Sequence, residues 1–314
     1  MPPATVRHAI VSSEDGGQRI DNFLFRELKG VPKGHVYRLL RTGQVRVNGG
    51  RAKPTQRLAP GDDIRIPPVE QAAAAPVRPG SRDRDRLAGR ILYEDDGLLV
   101  LNKPAGMAVH GGSGLSYGVI EALRALKPEA RSLELVHRLD RETSGCLLVA
   151  TRRSRLRALH ALLREGAVEK RYLALLSGQL AGGGRHEVSV ALSKHQVRGE
   201  RRVRVDEEGK RATTTFNVLH RYQEGTLVEA RIETGRTHQI RVHAAHLGHP
   251  LAGDDKYGGH DDNRRWRSLG LKRMFLHAAS VAFTAPWNDE PMLFNAPLDE
   301  DLRGLLDRLE QPGS

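Results

Sequence analysis

Between residues 67 and 89 the chain reads PPVEQAAAAPVRPGSRDRDRLAG. A stretch so rich in Pro, Ala and alternating charge carries neither the helical nor the strand period of apolar residues, and it cannot run through one continuous core. It reads as a linker with room for one short charged helix. It separates a small module at about residues 17–66 from a large domain at about residues 90–308. A length of 314 residues also suits two domains.

In the module, Ile20, Phe23, Leu24 and Leu28 recur at helical spacing, with Asp21 in the first turn. Val31-Pro32-Lys33-Gly34 breaks that helix. A second helix sets apolar Val36, Leu39 and Leu40 against basic Lys33, Arg38 and Arg41. Val45-Arg46-Val47 is a strand entering the turn at Asn48-Gly49, and Gly61-Asp62-Asp63 turns into the strand Ile64-Arg65-Ile66. The module holds eleven Lys/Arg against four Asp/Glu, a net of +7 out of the chain's formal +12. So much charge on so small a unit favours a polyanion, because each neutralised phosphate releases counterions. A solvated basic face is the plainer alternative, and charge by itself does not separate RNA from DNA or from an anionic membrane.

The large domain is strand-rich. Ile91 to Glu94 and Leu98 to Leu101 flank the turn Asp95-Asp96-Gly97 as a hairpin. Cys146 to Ala150, Tyr172 to Leu176 and Thr226 to Ile232 read as further strands. Ser116 to Leu126 and Arg153 to Leu163 have helical periodicity. Frequent hairpins predict an α+β fold with a mixed or antiparallel sheet rather than a doubly wound parallel one. Cys146 is the only cysteine, so no intramolecular disulfide forms, as in a reducing compartment. The N-terminus lacks a signal-peptide core, and no apolar run approaches the roughly 18 residues of a membrane span. The expectation is a cytoplasmic protein without a membrane partner.

Three clusters in this domain could carry chemistry: Leu101-Asn102-Lys103-Pro104-Ala105-Gly106; His137-Arg138-Leu139-Asp140-Arg141-Glu142-Thr143-Ser144-Gly145; and Thr234-Gly235-Arg236-Thr237-His238-Gln239-Ile240-Arg241-Val242-His243. An Asp at a strand entrance between two arginines suits a nucleophile, a base, a metal ligand or a structural ion pair. Residue chemistry alone leaves these four open, with the ion pair the default.

The second cluster resembles the signature of the RluA family of pseudouridine synthases, H-R-L-D-x-x-T-S-G, and meets every fixed position. Lys103-Pro104-x-Gly106, Lys170-x-Tyr172 and Gly235-Arg236-Thr237-His238-Gln239-Ile240-Arg241 match that family's other motifs in the same order. The small module resembles the S4 RNA-binding domain through Arg19-Ile20-Asp21-Asn22-Phe23-Leu24, Val45 to Gly49 and Gly61 to Ile64. With Gly30 to Lys33, His110 to Ser116 and Leu133 to His137, the pairing is similar to the C group of large-subunit ribosomal RNA enzymes in that family.

The resemblance implies an isomerisation of uridine to pseudouridine in 23S rRNA, at several positions, on naked RNA or an assembly intermediate, without a cofactor; a monomer is the default expectation. It implies that Asp140 attacks C1′ or takes the 2′ proton, and that Arg241 pairs with it. Tyr172 would lie beneath the uracil and help to remove the C5 proton. Ile240 would pack on the base, Arg138 would fill the space left by the flipped nucleotide, and Lys103 and His243 would support the site, His243 by hydrogen bonding. Arg19, Lys33, Arg38, Arg41 and Arg46 would contact RNA from the module. Arg198, Arg201, Arg202 and Arg204 read either as a solvated hairpin or as a phosphate-contacting loop.

The plainer readings stand beside these. Tyr172 suits an apolar strand, Lys103 a solvated loop, and Cys146 a small buried strand residue. His238, His243, His246 and His249 lack zinc-ligand spacing. Gly111-Gly112-Ser113-Gly114 is no phosphate-binding loop, and Ser144 is in no nucleophile elbow. Two rival functions remain: an RNA-binding ribosome-assembly factor with an idle site, and the same chemistry on another RNA such as tRNA.

Overall fold

The computed structural model describes residues 5–28, 30–69, 79–112, 117–130, 132–197 and 200–310, and they divide into two compact units, Met1–Arg78 and Pro79–Ser314. In the first unit, strand β1 (Arg7–Ile10) precedes helices α1 (Ile20–Glu27) and α2 (Lys33–Arg41), followed by β2 (Arg46–Val47), β3 (Gly50–Arg51) and β4 (Asp63–Ile66). The strands form an antiparallel sheet in the order β1-β4-β2-β3. Ile20, Phe23 and Leu24 of α1 and Val36, Leu39 and Leu40 of α2 are buried with Ile64 and Ile66 in one core. That core leaves Lys33, Arg38, Arg41 and Arg46 exposed. Arg19 differs from these four. Its guanidinium is bound bidentately by the buried Asp21, at 2.5 and 3.1 Å, so two of its donors are committed to an ion pair within the unit while the side chain stays partly exposed.

The second unit begins earlier than the sequence suggests. Residues 70–78 of the expected linker lie outside the described residues, but α3 (Ser81–Ala88) packs on α4 (Val119–Leu126), and Leu87 is fully buried. The stretch 79–89 is therefore part of the domain. A single apolar residue in a charged helix leaves almost no period to read. The predicted helix start at Ser116, like Ser113 to Leu115, lies outside the described residues.

The strands of this unit are β5 (Ile91–Glu94), β6 (Leu98–Lys103), β7 (Glu134–Leu135), β8 (Ser144–Ala150), β9 (Glu169–Ser177), β10 (Arg185–Val197), β11 (Glu200–Val205), β12 (Lys210–Arg221), β13 (Gly225–Ile232), β14 (Leu276–Thr284) and β15 (Pro291–Asn295). They make one 11-stranded sheet whose main path is β11-β10-β12-β13-β9-β14-β8-β6-β5, with β7 paired to β8 and β15 to β14. All named pairings are antiparallel except β8 with β14. This is the mixed-sheet α+β fold expected. Helices α5 (Arg153–Glu165), α6 (Gln239–His246), α7 (His260–Ser268) and α8 (Glu300–Glu310) complete the unit. Strand β8 reads as a continuous apolar run because both its faces are covered. Leu147 and Val149 join one core with α4, whereas Cys146, Leu148 and Ala150 join another with Leu159 of α5.

The parallel junction explains the Ser-Gly that opens β8. Ser144 and Gly145 pair with His277 and Ala278. His277 donates from Nε2 to the Ala296 carbonyl at 3.1 Å, so its Nδ1 accepts from the Ser144 hydroxyl at 2.9 Å. Gly145 has φ +107°, and a Cβ there would stand 2.2 Å from the Ala278 carbonyl oxygen. Gly145→Ala should therefore cost at least about 3 kcal/mol in urea unfolding, since both the backbone angle and the strand spacing must give. A loss below about 1 kcal/mol would show that the strands part freely there.

Candidate active site

Asp140 lies in the loop that leads into β8, and two neighbouring structures hold that loop. The first is the end of β6. Lys103 is fully buried, and its Nζ donates to the carbonyls of Pro104 at 2.9 Å, Met107 at 2.7 Å and Arg141 at 3.1 Å. The Gly106 amide donates to the Arg141 carbonyl at 2.9 Å, and Arg141 Nε returns a bond to the Gly106 carbonyl at 2.9 Å. The second brace is His137, whose Nε2 accepts the Leu148 amide at 3.1 Å; burial first, then Lys170, holds this imidazole down to about 4, so it stays a neutral acceptor. Lys103 is thus an internal clamp on the Asp140 loop, and not an RNA contact: a buried amine bonded to three carbonyls reaches no phosphate.

Helix α6 supplies the opposite wall. Gln239, buried at its first turn, accepts at Oε1 from Thr234 Oγ1 at 2.7 Å and the Arg236 amide at 3.1 Å, and donates from Nε2 to Thr213 and Thr214. Arg241 is buried two residues on. Its Nη1 lies 3.8 Å from Asp140 Oδ2, too long for a hydrogen bond. The direct pair expected between them is looser than that, because Arg241 has a closer partner. Its Nε and Nη2 donate to the two oxygens of Asp254 at 2.7 and 2.6 Å. Burial opposes the Arg241 charge, but the hydrogen bonds and charge of Asp254, with Asp140 behind them, raise its pKa further. Asp254 is fully buried and also accepts the amides of Lys256 at 2.9 Å and Tyr257 at 3.2 Å. Sequence reading missed Asp254. Its only signal is a short acidic turn between Gly253 and Gly258, without a spacing that links it to Arg241.

His238 was set aside in the sequence as a poor zinc ligand. It lies with Nε2 3.7 Å from Asp140 Oδ2 and Nδ1 2.8 Å from the Tyr257 hydroxyl. His243, expected to hydrogen-bond in the site, is fully buried in α6 and makes no hydrogen bond from either ring nitrogen. Burial lowers it to about 4, and it is a neutral packing residue rather than a hydrogen-bonding support. Among the described residues, no three His, Cys, Asp or Glu side chains are arranged to hold a metal ion. Burial pushes the Cys146 thiol up to about 11, which makes it inert.

Two clefts meet at Asp140. An open one of about 560 Å³ is edged by His110, Arg138, Lys256, Arg267, Lys272 and Arg273. A narrow slot of about 70 Å³ has Tyr172, Ile240 and Leu276 in its walls, and shares Arg138, Asp140, His238 and Arg241 with the first. The basic cleft suits a phosphodiester chain and the apolar slot the flat face of a base. Burial, reinforced by Asp140, drives the Tyr172 phenol well above its ordinary value. Arg138 is exposed at the rim. Of the basic hairpin, Arg198 lies outside the described residues and the side chain of Arg201 is not described. Arg202 donates to the Lys256 carbonyl at 3.2 Å and Arg204 to Asp206 at 3.2 Å. The hairpin therefore buttresses the Asp254 loop.

The clamp has a pH signature. Burial lowers Lys103 from 10.5 to about 7, against the pull of Glu142 and Asp140. Between these values the unfolded chain binds a proton on Lys103 that the folded chain does not, so folding gains as pH rises. From pH 7 to 9 the wild type should gain about 2 kcal/mol relative to Lys103→Met in urea unfolding. Stability curves that run parallel for the two proteins would refute the shift.

The sequence profile of RNA pseudouridylate synthases matches residues 97–246, and that of the S4 domain matches residues 18–64. The chain is 52% identical over 310 residues to the Haemophilus influenzae protein named ribosomal large subunit pseudouridine synthase C, spanning 98% of this chain and 96% of that one. It is 53% identical over 309 residues to the Escherichia coli K12 protein of the same name, spanning 97% of each. Among solved structures, human RNA pseudouridylate synthase domain containing 4 superposes with a TM-score of 0.61 at 27% identity, covering 74% of this chain and 98% of that one. The arrangement of Asp140, Arg241 and Tyr172 around one slot is thus found in a chain that belongs to the RNA pseudouridylate synthase family, with an S4 domain preceding the synthase domain.

Proposed function

We propose that this chain isomerises uridine to pseudouridine in large-subunit (23S) ribosomal RNA, with Asp140 acting on the ribose. The observation that carries this reading is the position of Asp140 where the basic cleft meets the Tyr172–Ile240 slot. The names of its near-full-length relatives support the substrate class. The C1′–N1 bond breaks, the uracil turns, and a C1′–C5 bond forms; C5 gives up its proton and N1 takes one. Nothing is gained or lost overall, so the balance calls for no external donor. Asp140, as nucleophile at C1′ or base at the 2′ carbon, has one oxygen facing Arg241 and His238. Tyr172, kept protonated by its burial, is a platform for the base rather than an acceptor of the C5 proton. The uridine must leave its stack to reach the slot, and Arg138 at the rim fills the vacated space. The protein acts as a monomer in the cytoplasm, on rRNA or a subunit precursor. No helix among the described residues is long and apolar enough to cross a membrane.

Tritium release from a 23S transcript carrying 5-tritiated uridine reads the reaction directly. Wild type should release tritium, and Asp140→Asn should release none above background. Full activity of Asp140→Asn would remove the carboxylate from the mechanism; release from tRNA alone would move the substrate.

The first unit supplies electrostatic grip through Lys33, Arg38, Arg41 and Arg46. Replacing Lys33, Arg38 and Arg41 together with Gln should flatten the slope of log K against log salt by roughly one per lost phosphate contact, with kcat on bound RNA unchanged. An unchanged slope would show that this face does not touch RNA.

A further inference from the structure

His238 caps the start of α6 with φ 54° and ψ 19°, a left-handed backbone that is uncommon for any residue with a side chain, even for Asn, Asp and His, which adopt it most. The four hydrogen bonds of Gln239 hold this turn in place. Strain so firmly braced points to a side chain that must aim in one direction. Its ring stands edge-on to Tyr257, centroids 5.6 Å apart, at the meeting point of both clefts.

The protons can be followed along this line. The Val203 amide of β11 donates to the Tyr257 hydroxyl oxygen at 3.0 Å. The hydroxyl keeps its own proton, because burial raises the phenol. That proton is directed at His238 Nδ1, 2.8 Å away. In the neutral imidazole the other nitrogen then carries the hydrogen. Nε2 faces Asp140 Oδ2 at 3.7 Å, the same oxygen that Arg241 approaches at 3.8 Å. Both gaps are of the kind that close when substrate enters.

We propose that His238 is a positioning residue for Asp140: Tyr257 selects its tautomer, and its Nε2–H, together with Arg241, holds Asp140 Oδ2 so that Oδ1 alone faces the ribose. This rests on the reading of Asp140 as the reacting carboxylate. The groups facing His238 are Asp140 from the loop before β8, Arg241 on α6, and Asp254, Lys256 and Tyr257 from the following loop, with Arg138 and Arg236 along the slot. Burial lowers the imidazole below its ordinary 6.5; Arg241 and Lys256 add to this, and Asp140 and Asp254 oppose it. It is therefore neutral near pH 7. At lower pH the imidazolium would bind Asp140 as an ion pair and weaken it as a nucleophile or base.

Tritium release is measured across pH for wild type, His238→Asn, His238→Gln and Tyr257→Phe. Asn tolerates the left-handed backbone but does not reach the Nε2 position, and kcat should fall about 10- to 100-fold with KM changed less than about twofold. Gln places an amide near Nε2 and should restore kcat to within about fivefold of wild type while changing the acid limb of the pH profile, because the imidazolium contribution is gone and only that of the carboxylate is left. Tyr257→Phe, which frees the tautomer without touching residue 238, should lower kcat about 3- to 10-fold. Wild-type kcat in His238→Asn, a loss confined to KM, or an acid limb in His238→Gln identical to that of wild type would overturn the inference and leave the reading of Asp140 standing. Absence of release by wild type would overturn both.

Discussion

The buried pair of Arg241 and Asp254 is the interaction on which the site depends. Two charges in the interior are tolerated only when their hydrogen-bonding capacity is filled. Here Asp254 takes two bonds from the guanidinium and two from backbone amides. Removing either partner alone from such a pair leaves an uncompensated charge, at a typical cost of about 3–5 kcal/mol. The arrangement also divides the guanidinium. Nε and Nη2 are taken by Asp254, so Nη1 alone is left toward Asp140. A carboxylate gripped by the full fork would be held fast; one approached by a single N–H is left able to react.

Around that pair, three distant stretches converge, and each family motif is the point where one stretch touches another. The Lys103-Pro104 element is a set of bonds to the Asp140 loop. The Ser144-Gly145 step is the close contact with β14. The Gln239 side chain sews the start of α6 to β12. Few of these residues need to meet RNA. They hold the backbone that presents those that do, as a preorganised site requires.

Much of this was legible. Apolar alternation and turn residues mark the strands, and the resemblance of four ordered motifs singles out Asp140, Tyr172, Ile240 and Arg241, which the structure gathers around one slot. The rest depends on contacts that no local pattern encodes. Asp254 and Tyr257 have roles only through α6 and β11, which lie elsewhere in the chain. Lys103 looks like a loop lysine until the fold buries it. Helix α3 merges with a linker because charge hides its one anchoring leucine, Leu87. His243 misleads in the other direction: a histidine two positions from the buried Arg241 turns out to be packed in the interior without a hydrogen bond.

The parallel contact between β8 and β14 also sets the order in which the molecule can come alive. Ser144 and His277 are separated by 133 positions, and strands β9 to β13 lie between them in the chain. During synthesis the Asp140 loop emerges long before the strand that fixes its exit, and non-local parallel pairing is among the slowest events in folding. The S4 unit, by contrast, is contained in Met1–Arg78, so that even its pairing of β1 with β4 is complete before the Asp140 loop is made. A nascent chain thus has its S4 unit in hand, and strands β9 to β13 as well, before the loop of Asp140 can be set in place against β14.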